Sequence, residues 1–122
     1  MRSEDRVELW VRTRIGPGHM NRKERAMRLF EEAAELAQAE GITAEQLVTQ
    51  IAYVFTRPGG EPSQEAGGVA VCIVGYCAGI GTTFLDVLER ELRRIEAKPI
   101  SEIRGSLARK ADSDLVFFTE GK

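Results

Sequence analysis

The stretch from Ala66 to Ile80 carries no charge, and four of its residues are glycine. It is shorter than the ~18 residues of a membrane-spanning helix, so it reads as a buried helix apolar nearly all round, which belongs at the centre of a bundle. Glycine in a helix interior costs roughly 1 kcal/mol against alanine. Four in one helix suggest that something approaches its backbone closely: a neighbouring helix, a symmetry mate or a ligand. Cys72 and Cys77 sit on this stretch, five residues apart and on different sides. They lack the CxxC spacing of a zinc or redox site and read as reduced core thiols.

The rest of the chain is cut by clear punctuation. Gly16-Pro17-Gly18, Gly41, the loop Arg57-Pro58-Gly59-Gly60-Glu61-Pro62, Gly79-Ile80-Gly81 and Pro99 separate segments that each read helical. Residues 21–40 place Ala26, Leu29, Phe30, Ala33, Leu36 and Ala37 on one arc, with Asn21 as N-cap, Glu24 as capping-box partner and Gly41 as C-cap. Thr43 caps a helix to about residue 56, with Leu47, Val48, Ile51, Val54 and Phe55 inward. Ser63 caps the glycine-rich helix. Thr82 or Thr83 opens another, with Leu85, Leu88, Leu92 and Ile95 at helical spacing, and residues 3–14 form a short first helix. Residues 101–110 read as a further short helix or as irregular chain. Residues 111–122 form a C-terminal tail holding the brief strand-like run Leu115 to Phe118. The expectation is one all-α domain over residues 1–110.

The first residues, MRSEDRVELWVRTR, hold no apolar signal region, and the free thiols suit a reducing cytoplasm. A net charge of −2 gives no electrostatic footprint for nucleic acid. The basic cluster Arg22, Lys23, Arg25 and Arg28 is interleaved with Glu24, Glu31 and Glu32, so a DNA-binding reading has little support. His19 has no partner at metal spacing and reads as a surface residue. Trp10 and Tyr53 read as packing residues.

The acidic residues carry the chemistry. Glu32 and Glu35 are three apart, on one helix face; Glu32 borders the apolar arc while Glu31 points further toward solvent. Glu65 follows the Pro/Gly loop. If these helices pack side by side, three carboxylates converge and repel unless a cation sits between them. Oxygen ligands favour magnesium or manganese. The plainer reading is a solvated pair of glutamates on a helix surface, and both stay open on the residues alone.

The segment Arg25-Ala-Met-Arg-Leu-Phe-Glu-Glu-Ala-Ala-Glu-Leu-Ala-Gln38 resembles the first motif helix of the MazG-like, all-α NTP pyrophosphatase superfamily. Tyr53 to Gly68 resembles phage-type members of it, and the likeness spans roughly residues 5 to 105. The superfamily pairs E-x-x-E on one helix with E-x-x-D on a later one. Glu32, Glu35 and Glu65 match; the aspartate position holds Gly68. The resemblance implies a four- to five-helix bundle completed by dimerisation, within a homo-oligomer that is a dimer or tetramer, and Mg2+ or Mn2+ held by Glu32, Glu35 and Glu65. It implies hydrolysis of a nucleoside triphosphate to the monophosphate and pyrophosphate. Water, or Asp86 or Glu89 of the next helix, would stand in for the missing ligand. Otherwise catalysis is lost, which leaves a non-catalytic helical dimer that binds a nucleotide or a protein partner. Arg90, Arg93 and Arg94 either face phosphate or pair with Glu89 and Glu91 on a solvated surface.

Overall fold

The computed structural model describes residues 1–16, 18, 21–103 and 105. His19 and the expected tail from 111 to 122 lie outside the described residues, as does most of the segment 101–110. The chain is all-α. The elements are α1 (Ser3–Trp10), continued by a π-helical stretch (Val11–Ile15), then α2 (Arg22–Ala39), α3 (Ala44–Val54), α4 (Pro62–Gly79) and α5 (Phe84–Glu96). Residues 100–103 are also helical.

Local chemistry explains the boundaries. Thr13 donates its hydroxyl to the Leu9 carbonyl at 2.7 Å, competing for the acceptor that its own amide would use in an α-helix. The wider turn follows, and the Gly16 amide closes on the Val11 carbonyl at 3.0 Å. Asn21 caps α2 through its Oδ1, which accepts from the Glu24 amide at 3.1 Å. Thr43 and Gln46 form a reciprocal capping box at the start of α3. Gly41 (φ 84°) and Gly81 (φ 77°) adopt the left-handed conformation that ends a helix. Behind each, the next amide reaches back to the final turn: Ile42 to the Ala37 carbonyl at 3.0 Å, Thr82 to that of Cys77 at 2.9 Å.

The start of α4 differs from the expectation of a Ser63 cap. Glu61 is the N-cap, its carboxylate accepting from the amides of Ser63 (3.1 Å) and Gln64 (2.9 Å). Pro62 takes the first helical position, where its missing N–H costs nothing. These N–H donors hold the Glu61 carboxyl below the usual carboxylate range.

The described chain divides into two compact units. The first combines the described residues of 1–29 with those of 85–105, the second is Phe30–Phe84. In the first unit, α1 and the π stretch are tied to α5. Arg6 donates to Glu89 and to Glu96, each at 2.6 Å. Trp10 Nε1 donates to the Ile95 carbonyl at 3.3 Å, and Arg14 to the Lys98 carbonyl at 2.7 Å. The Arg14 cation thus meets the carbonyl end of the α5 segment, where positive charge is favoured. Among the described residues, Val11, Ile15, Leu92 and Ile103 are the buried apolar side chains of this unit, and Glu24 is fully buried beside Arg25, whose guanidinium burial lowers its pKa.

Arg6 holds the carboxyls of Glu89 and Glu96 below their ordinary range, chiefly by hydrogen bonding. Their folded-state pKa is depressed, so the stability they contribute is present above the ordinary carboxylate pKa and fades as pH falls through the lowered values. An Arg6→Gln variant is expected to melt below the native chain at pH 7, and the gap is expected to narrow in acid, below the ordinary carboxylate range. Thermal melts at pH 7 and in acid check this; a gap unchanged by acid would contradict the pairing.

The second unit contains the latter half of α2, α3 and α4. Its only buried side chain among the described residues is Cys77, 2% exposed. Here the expectation of inward-facing helices fails. On α4, Ile73 and Tyr76 are partly covered and every residue other than these and Cys77 is exposed, Cys72 included. On α3 only Leu47 is partly covered; Val48 is 64% exposed, and Phe55, just beyond the helix, is 82% exposed. A helix apolar on every side needs neighbours on every side, and this unit supplies only two other helical stretches. The glycines of α4 likewise meet nothing: a Cβ at Gly67, Gly68, Gly75 or Gly79 would have no neighbour within 4 Å.

Candidate functional site

Glu32 and Glu35 lie on the latter half of α2, and Glu65 lies in the first turn of α4, so all three belong to the second unit. All three are exposed. The ordering of Glu31 and Glu32 is the reverse of that expected, since Glu31 is partly covered and Glu32 open to solvent. The covered side of α2 carries Glu24, Met27, Arg28, Glu31 and Ala34, whereas Ala26, Leu29, Phe30 and Ala33 of the expected apolar arc are exposed. The Glu65 carboxylate folds back against the loop, close over the Cα of Gly60. A side chain at position 60 would collide with it, so the glycine gives that carboxylate its room.

Among the described residues, no three His, Cys, Asp or Glu side chains stand close enough together to hold a metal ion. In the single chain Glu32, Glu35 and Glu65 are thus not gathered into one group of three. Asp86 lies in the first turn of α5, exposed, and belongs to the first unit. Glu89, the other candidate for the fourth position, accepts from Arg6 and, at 3.0 Å, from Arg93. Gly68 faces open space on α4, where an aspartate side chain would meet no obstacle.

The arginines of α5 follow the plainer of their two readings. Arg93 pairs with Glu89 and Arg94 with Glu91, one helical turn away in each case. Arg94 holds the Glu91 carboxyl below its usual range.

Two further features of the second unit depart from the expectation. Tyr76 on α4 donates its hydroxyl to Glu40, just past α2, and so ties the two helices together. That bond raises the phenol pKa. Tyr53 is 57% exposed rather than packed, with the Arg57 guanidinium 4.9 Å from its ring centre. The pair is a cation–π contact on the surface at the mouth of the Pro/Gly loop. Trp10, by contrast, packs as expected, with its N–H satisfied by the Ile95 carbonyl.

No protein family matches the chain, and comparison with curated proteins and with solved structures gives no match. Among the described residues, no single helix is long and apolar enough to cross a membrane.

Proposed function

We propose that this chain is a nucleoside triphosphate pyrophosphohydrolase or a diverged relative of one. The observation that supports this reading is the shared location of Glu32, Glu35 and Glu65: one unit, solvent-facing, in the helix order of the resembled superfamily. Water would add to the α-phosphorus and the bond from that phosphorus to the bridging oxygen of the β-phosphate would break, giving the monophosphate and pyrophosphate. A carboxylate on this surface can accept the proton that the water loses. The exposed Tyr53 offers the base a flat apolar ring beside the Arg57 cation.

A second reading has its own observation. The three carboxylates are not gathered in the single chain, and the fourth position holds Gly68. This favours a protein that binds a nucleotide or a protein partner without turning it over.

Calorimetric titration with a non-hydrolysable triphosphate analogue separates the two. The hydrolase reading expects binding that requires Mg2+ or Mn2+ and weakens at least about tenfold in Glu35→Ala, with tighter binding of Mn2+ in Gly68→Asp. Binding indifferent to divalent ions and to Glu35 would favour the non-catalytic reading, and no binding at all would remove both nucleotide readings.

A further inference from the structure

An apolar stripe runs along α3, built by Val48, Ile51 and Phe55. Their spacing of three and then four residues puts them on one side of the helix. Phe55 stands just past the last turn, but its amide still reaches the Ile51 carbonyl at 3.1 Å, so the helical course includes it. The three are 64%, 38% and 82% exposed, and Ala52 between them is exposed as well. The Thr43–Gln46 box fixes the start of the helix that carries them. At ~150–250 Å² for a large side chain, the stripe leaves on the order of 300 Å² of apolar surface open, a patch size that on a monomer is often functional. Tyr53 lies on another side of α3, so the stripe is separate from the ring offered to a base.

Charge identifies the occupant. The unit Phe30–Phe84 holds seven glutamates, no aspartate and no lysine, against the single cation Arg57, a formal charge of −6 where the whole chain is −2. Glu45 stands one helical turn before Val48, exposed at the edge of the stripe. Arg57 is engaged over the Tyr53 ring. An apolar surface set in this field repels nucleic acid and an anionic bilayer, and a second copy of the same face would bring −6 against −6. It attracts an apolar surface edged with Lys and Arg. The form of that surface follows from the stripe. The described residues contain no strand to which an extended peptide could add, whereas anchors at i, i+3 and i+7 suit a helix laid alongside. From Val48 to Phe55 the stripe runs roughly 10 Å, which matches about two turns of such a helix.

We infer that the Val48–Ile51–Phe55 stripe of α3 is a docking site for a basic amphipathic helix of a protein partner, whose apolar side lies on the stripe and whose Lys and Arg meet Glu45 and the other carboxylates of this unit. The apolar contact holds the partner, and the charge selects it. Such docking is independent of the chemistry that Glu32, Glu35 and Glu65 perform, and it is read by peptide binding rather than by nucleotide binding or turnover.

Fluorescence anisotropy with the full chain tests it. The probe is a labelled amphipathic peptide of Leu and Lys, about 18 residues long, above the length at which isolated helices are marginal. The native chain is expected to bind it, more weakly as salt rises, and at least about tenfold more tightly than the same peptide with Gln for Lys. Val48→Ser and Phe55→Ser are each expected to weaken binding at least about tenfold, as when a central apolar contact is lost. Val71→Ser, at a residue 74% exposed on α4, is expected to change nothing. No binding, equal binding of the Gln peptide, or stripe variants as tight as the native chain overturns the inference. So does self-association, or binding to phosphatidylcholine vesicles, that Phe55→Ser abolishes while the Lys peptide does not bind. Should either stripe variant lose helix by circular dichroism, amide NMR of the native chain decides. Shift changes on adding the Lys peptide are expected over α3 and Phe55, and changes that leave this segment untouched overturn the inference.

Discussion

Replacing Leu92 by alanine is expected to destabilise the chain by about 2–5 kcal/mol, the range for removing a fully buried leucine and leaving part of its volume empty. Leu92 is 1% exposed, the most deeply buried apolar side chain of the described chain. It sits midway along α5, in the unit where Arg6, Trp10 and Arg14 fasten the N-terminal segment to that helix. The same substitution at Leu85, 65% exposed on the same helix, provides the control. Helix propensity changes equally at both sites, so the difference between them reports burial. Urea unfolding followed by circular dichroism is expected to give a loss at Leu85 below about 1 kcal/mol. Equal losses at the two positions would mean that the core is not where α5 meets the first unit.

The two units contrast in a way that bears on function. The first has a core and cross-helix ties between residues more than eighty positions apart. The second presents the candidate carboxylates, an aromatic–arginine pair and a large apolar surface, with one buried side chain among its described residues. Regions with little buried area open at low free-energy cost unless a partner covers them.

Much of the secondary structure was legible in local chemistry. Thr43 with Gln46, Asn21 before α2, and the glycines at 41 and 81 announce helix ends because each acts within four residues of itself. The start of α4 was misread as a Ser63 cap. Glutamate is an uncommon N-cap, and the available signal was Pro62, which favours the first helical position and so sets the cap at 61. The exposure of α4 was not legible, since composition reports that a helix is apolar but not how many neighbours its unit supplies. The ties of Arg6 to Glu89 and Glu96, and of Tyr76 to Glu40, were equally invisible, since they join residues with no common period along the chain. For the candidate site, the sequence placed Glu32 and Glu35 on one helix and Glu65 on another. It gave no distance between them, and the expected convergence into a cation-binding group is not present in the single chain.

Glu35→Ala carries the largest expected effect on activity. Glu35 is exposed, so its removal leaves no cavity and no buried group without a partner. The variant is therefore expected to keep the native helix content and melting behaviour. Loss of turnover would then report chemistry alone. A positioned acid–base group contributes on the order of 10²–10⁴ in rate, and a drop of that size is expected. Release of pyrophosphate from a panel of ribo- and deoxynucleoside triphosphates, with Mg2+ or Mn2+ present, is the measurement that bears most directly on the proposed function. The account predicts turnover by the native chain that disappears with chelator and falls on the order of 10²–10⁴-fold in Glu35→Ala. A folded, helical native chain that releases no pyrophosphate from any triphosphate, or a Glu35→Ala variant as fast as the native chain, would contradict it.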